Sequence, residues 1–164
     1  MCIRDSMYRI PRDMRYSKNK TPYNPAFRAY LSPHKKDFLP LSYYIHISHE
    51  RCILETGAWP WETKQLNRLR EYIAYNYEEL DAICAENGLM VFGEQLKRTP
   101  RGYDTDHPAA YWLRYKFWLT EYSFAPDDLR DLDVFAEAAG AAVRRFEPFR
   151  QFLMGAFDDR IYDE

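Results

Sequence analysis

"LSYYIHISHERCILETGAW", residues 41–59, carries the decisive pattern. Leu41, Tyr43, Ile45 and Ile47 alternate with Ser42, Tyr44, His46 and Ser48, a period of two that specifies a strand with one buried face. After the short connection His49 and Glu50, "RCILETGAW" continues as a second strand, so the stretch reads as a β-hairpin. Upstream, "AFRAYL" (26–31) is a third strand, and "SPHKKDFLP" between them is a loop by its prolines and charges. From Tyr8 the chain alternates again, with Tyr8, Ile10, Met14 and Tyr16 on one side and Arg9, Pro11, Asp13, Arg15 and Ser17 on the other. Pro11 cannot donate to a ladder, which makes this strand an edge or a bulged one.

After Trp59 the period lengthens. Leu66, Leu69 and Ile73 mark one amphipathic helix, and Leu80, Ile83 and Cys84 a second one that ends at "ENG". "LMVFGEQLKRTPRGYDTD" has no sustained period and reads as a long connection with one helical turn at "GEQL". Asp106 as N-cap and Pro108 in the first turn open a helix expected to reach about Thr120. A last helical region starts near Pro126 and carries Leu129, Leu132, Phe135, Ala139, Val143 and Phe146, with Pro148 expected to kink or divide it. Strands followed by helices predict an α+β fold: a mostly antiparallel sheet from the N-terminal half, packed against C-terminal helices. The expected organisation is a leader at 1–6, one domain over 7–157 and a tail at 158–164, the leader "MCIRDS" having no pattern of its own.

Length and composition bound the function. A chain of 164 residues with 46 % hydrophobic and 17 % aromatic residues is one globular domain and is not disordered. Apolar runs fall short of a membrane span or a signal peptide, and Cys2, Cys52 and Cys84 are odd in number and scattered. The expectation is a cytoplasmic protein with reduced thiols and no membrane association. Net charge is −2, yet residues 1–36 hold nine Lys and Arg against two Asp, so a basic N-terminal region precedes an acidic body.

Two basic motifs carry the chemistry. In the first, Arg9, Arg12, Arg15, Lys20 and Tyr23 surround Asp13; in the second, Lys97, Arg98 and Arg101 precede Gly102, Tyr103, Asp104, Asp106 and His107. Guanidinium forks match carboxylate or phosphate oxygens, and Gly102 permits a left-handed turn or close backbone approach. The first reading is a small anionic ligand, phosphate- or carboxylate-bearing, held between these motifs. No reaction type follows from them; in an enzyme, Asp13 or His107 would be the general acid or base. A nucleic-acid module, with the basic segment on phosphates and Tyr16, Tyr23, Tyr30 and Tyr44 stacking on bases, is the less favoured alternative, because the rest of the chain is acidic. A purely structural or partner-docking basic motif is the third. Metal and cofactor sites are not expected: His46, His49 and Cys52, with Glu55, have metal-like spacing, but alternation need not bring them together. No Gly-rich nucleotide loop occurs.

Residues 9–23, "RIPRDMRYSKNKTPY", resemble the signature of the family called domain of unknown function 2461, Arg-x-x-Arg-Asp-x-Arg-Phe-Ser-x-x-Lys-x-Pro-Tyr, with Tyr16 in place of Phe. "YYIHI", "GAWPW" and "GEQLKRTPRGYDTDHP" extend the resemblance over residues 7–157. It implies a soluble protein of unassigned activity, found in bacteria and some fungi, with Arg9, Arg12, Asp13, Arg15, Lys20 and Tyr23 as motif positions. It also implies a helical, aromatic-rich segment upstream of the motif, so this sequence is expected to be truncated at its N-terminus.

Overall fold

A computed structural model describes residues 7–11, 13, 15, 16, 18, 20–31, 41–60 and 62–157. Arg12, the 32–40 loop, Trp61, the 1–6 leader and the 158–164 tail lie outside them. The elements run β1 (Ala26–Leu31), β2 (Tyr43–Ser48), β3 (Cys52–Ala58), α1 (Thr63–Glu86), α2 (Ala110–Leu113), β4 (Trp118–Ser123), a 3-10 turn (Asp128–Arg130) and α3 (Leu132–Gly155). The four strands form one antiparallel sheet in the order β1-β2-β3-β4, an α+β fold. The expected hairpin is present, with Ile47 opposite Cys52 and Tyr44 opposite Glu55.

Alternation gives the sheet two distinct faces. Tyr43, Cys52, Leu54, Ala58 and Trp118 are buried on the core face, where α3 packs on β3 and α1 packs in turn on α3. Trp118, Phe146, Phe149, Leu69 and Ile73 are fully buried there, each worth about 1.5–3 kcal/mol of hydrophobic stabilisation. The other face carries Arg28, Tyr30, Tyr44, His46, Glu55 and Glu121, by the register of the strands.

Several local expectations are corrected. Residues 7–11 form no continuous strand; Met7 and Pro11 make isolated bridges to Ala29 and Tyr23, because Pro11 has no N–H to continue a ladder. The two helices after Trp59 are one, α1, kinked at Asn76 (φ −122°, ψ 25°), whose side-chain amide donates to the Tyr72 carbonyl at 2.9 Å. "GEQL" is extended rather than helical, since Phe92 and Gln95 bridge to Leu119 and Tyr115 along the outer edge of β4. The helix expected from Asp106 to Thr120 is only α2, and residues 118–123 are a strand that supplies β3 with its second partner. The sheet therefore draws its fourth strand from the C-terminal half. The last helix starts after its N-cap Asp131, whose side chain accepts from Asp133 and Val134 N–H, and it runs through Pro148 without dividing. Leu129 and Leu132 are exposed rather than core.

One polar network fastens β2 to α3. Tyr43 Oη donates to Glu147 Oε2 at 2.6 Å, while Arg150 donates to both carboxylate oxygens at 2.8 and 2.6 Å. The Arg150 guanidinium, with smaller help from Tyr43 and Gln151, lowers the Glu147 pKa from its ordinary 4.5 to about 2. A shift that large corresponds to roughly 3 kcal/mol undiluted. The side chains of Arg150 and Glu147 keep 16 % and 31 % exposure, so solvent screening reduces it to about 1–2 kcal/mol. Because the folded pKa is the lower one, the contribution is complete above pH 4.5 and is lost as pH falls towards 2. Glu147→Gln is thus expected to be less stable than the parent in urea at pH 7, with the gap closing between pH 4.5 and 2. A gap that stays constant with pH would show that the carboxylate charge contributes nothing.

Candidate functional site

The sheet order separates the two basic motifs. The N-terminal segment lies outside β1, where Tyr8 N–H donates to the Arg28 carbonyl at 2.9 Å and Asn24 N–H to that of Ile10 at 2.8 Å. The second motif follows residues 92–96, which line the far side of β4 through Phe92–Leu119 and Leu96–Arg114 backbone bonds. Five strand spacings lie between these flanking segments, about 24 Å. The segments that carry the two motifs therefore flank opposite edges of the sheet.

In the first motif Asp13 grips Arg15. The Arg15 Nε donates to Oδ1 at 3.0 Å, Nη2 to Oδ2 at 2.7 Å and the backbone N–H to Oδ1 at 3.1 Å. These bonds hold the Asp13 carboxyl below its ordinary range. Both side chains are exposed, at 78 % for Arg15 and 58 % for Asp13, and such pairs add little to stability in water. Arg9, Lys20 and Tyr23 are exposed as well.

The second motif builds a concave site. Arg101, Gly102, Tyr103, Asp104 and His107 face Asn67, Glu71, Ala74 and Tyr75 across a cleft of about 530 Å³. That volume lies in the range of small-molecule sites. The α1 residues are spaced i, i+4, i+7 and i+8, which places them on one helical face. Gly102 has φ +97°, the conformation that lets the loop turn over the helix. Lys97 and Arg98 are exposed and do not line the cleft. Beneath it, buried Arg70 donates from Nε to the Leu113 carbonyl at 3.1 Å and from Nη2 to that of Tyr115 at 3.0 Å, fixing α1 to the end of α2.

Two details set the chemistry of the cleft. Among the described residues Arg101 belongs to no ion pair. The Ala109 N–H donates to His107 Nδ1 at 3.0 Å, so the neutral imidazole carries its proton on Nε2. His107 thereby offers a hydrogen-bond donor at Nε2. Burial pushes the Tyr103 hydroxyl up, with Glu71 adding to the effect and Arg70 opposing it; the phenol stays protonated at neutral pH.

The polar sheet face is a cluster that sequence reasoning did not single out. Tyr8, Tyr30 and Tyr44 follow one another at ring-centroid distances of 5.2 and 5.1 Å, and the Arg28 guanidinium lies 5.2 Å from the Tyr8 ring. Tyr44 Oη is 3.3 Å from His46 Nδ1, and Arg51 pairs with Glu121. Burial, then the Glu121 charge, raises the Glu55 pKa, and burial with Arg28 and Arg51 lowers that of His46. The signal was available: the two-residue period of a strand over "CILETGA" puts Glu55 on the face opposite buried Leu54 and Thr56. Tyr30 and Tyr44, read from sequence as stacking platforms, pack at tilted angles against neighbouring aromatics here, whereas Tyr16 and Tyr23 are exposed. His46 and Cys52 fall on opposite faces of the hairpin, and no group of three or more metal-ligating side chains occurs among the described residues.

No helix among the described residues is long and apolar enough to cross a membrane, and Cys52 and Cys84 are free thiols. Burial raises the Cys84 pKa to about 11, which suits a packed thiol rather than a nucleophile. A family model described as conserved hypothetical protein (DUF2461) matches residues 2–152. No curated protein and no solved structure matches the chain.

Proposed function

The chain belongs to the DUF2461 family, and from the geometry of its helix–loop cleft we propose that it binds a small carboxylate- or phosphate-bearing ligand there, as a cytoplasmic protein. The observation that carries this reading is Arg101, a guanidinium lining a cleft of metabolite size without an ion-pair partner among the described residues. A fork of N–H donors left open in a concave site is matched by planar or tetrahedral oxyanions. His107 Nε2–H adds a neutral donor on the same wall, and Tyr75 and Tyr103 supply aromatic surface for an organic body. The cleft, rather than the N-terminal motif, is the ligand site in this reading, because Arg15 is already satisfied by Asp13.

A thermal-shift screen against organic carboxylates and phosphorylated metabolites tests it. Ligands that raise the melting temperature of the parent are expected to lose the shift in Arg101→Gln and to keep it in Arg15→Ala. Retention in Arg101→Gln with loss in Arg15→Ala would move the site to the N-terminal motif, and no shift with any anion would overturn the proposal.

A further inference from the structure

The cleft is not uniformly basic. Its walls carry one guanidinium, Arg101, and two carboxylates, Glu71 and Asp104, beside the neutral His107, the amide of Asn67 and the phenols of Tyr75 and Tyr103. Arg70 adds a second positive charge near Tyr103, with Nε and Nη2 donating to the Leu113 and Tyr115 carbonyls. A dianionic ligand satisfied at Arg101 would still face Glu71 and Asp104 across the same space. That like-charge contact opposes binding. A bare oxyanion would also leave most of about 530 Å³ to water.

Resting on the anion-binding reading above, we infer that the ligand is a zwitterion of the α-amino-acid type, its carboxylate held by Arg101 and the His107 Nε2–H and its ammonium by Glu71 and Asp104. The two ends of such a ligand match the two signs of charge in the cleft, and its net charge of zero asks for no further counter-ion. Tyr75 and Tyr103 give its side chain a flat aromatic surface, and the face of either ring also attracts an ammonium. Asn67, one helical turn before Glu71 on the same face of α1, offers both a donor and an acceptor. Gly102, with φ +97° and open space where a Cβ would stand, keeps the backbone of the opposite wall low.

The test is isothermal titration of the full chain with each of the twenty L-amino acids, and with three matched probes: L-phenylalanine, 2-phenylethylamine lacking the carboxylate, and 3-phenylpropanoate lacking the ammonium. Glucose 6-phosphate serves as the dianion. At least one amino acid is expected to bind, and L-phenylalanine to bind about tenfold more tightly than either truncated probe. Glu71→Gln is expected to weaken amino-acid binding about fivefold while leaving 3-phenylpropanoate unchanged. His107→Gln, which restores a donor near Nε2, is expected to retain more affinity than His107→Asn, which keeps only an acceptor for the Ala109 N–H. If 3-phenylpropanoate or glucose 6-phosphate binds as well as every amino acid, the zwitterion is wrong and the anion site stands. If no anion and no amino acid binds, both fall.

Discussion

Gly57→Ala is expected to cost the domain about 3 kcal/mol or more, seen as a urea midpoint far below the parent's or as failure to accumulate in folded form. Gly57 sits inside β3 opposite Leu119, with φ +140°. A Cβ built there would lie 2.0 Å from the Trp118 carbonyl oxygen and 2.9 Å from Leu119 Cα. Both obstacles are backbone atoms of the paired strand, so no rotamer change relieves the overlap. Relief requires opening the β3–β4 ladder, which lies over the buried Trp118 ring. Gly102→Ala is the informative control, since it also has positive φ but nothing within 4 Å of the added Cβ. It carries conformational strain alone, about 1–2 kcal/mol. If the two variants unfold at the same urea concentration, the close approach of β4 to Gly57 is wrong.

That close approach also shows why part of the fold was hidden from sequence reading. The hairpin at 41–59 declares itself through local alternation, and β2 and β3 form where it places them. Trp118 to Ser123 alternates too, with Trp118, Thr120 and Tyr122 on the core side. It follows directly on "YWLRYKF", however, where aromatics and cations suit a helix as well. What decides between helix and strand is non-local: the second edge of β3 needs a partner, and Gly57 admits only a strand whose backbone comes very near. Pro148 was misleading for a related reason. Phe146 and Phe149, on either side of it, and Phe152 and Leu153 beyond are all buried, so tertiary packing outweighs the helix penalty of one proline.

The site was legible on one wall only. The loop from Arg101 to His107 draws notice by its charges and glycine. Asn67, Glu71, Ala74 and Tyr75 look like the solvent face of any amphipathic helix. Nothing local couples them to a loop some 30 residues further on. The coupling comes from Arg70, a cation on the buried side of α1, where helical periodicity calls for an apolar residue.

Arg70→Met is accordingly expected to destabilise the domain by about 2–4 kcal/mol, although methionine retains much of the volume. The loss is one of hydrogen bonds: Nε and Nη2 satisfy the Leu113 and Tyr115 carbonyls, where α2 ends and the chain turns into β4. Arg70 is 7 % exposed, so water cannot replace those donors without entering the packing around Leu69, Leu113 and Tyr115. Burial lowers the Arg70 pKa, yet a guanidinium stays charged at any pH the fold survives. Arg70→Lys should recover part of the loss, because an ammonium keeps the charge but lacks the fork that reaches two carbonyls at once. The order parent, lysine, methionine in urea midpoint is the expected result; a methionine variant as stable as the parent would show that the two carbonyls need no donor. Glu71 and the 101–107 loop are attached to the two elements that Arg70 joins. The methionine variant should therefore also bind any cleft ligand more weakly at temperatures where it is still folded, whereas Gly57→Ala, acting on the other side of β4, should lower stability without a separate effect on affinity.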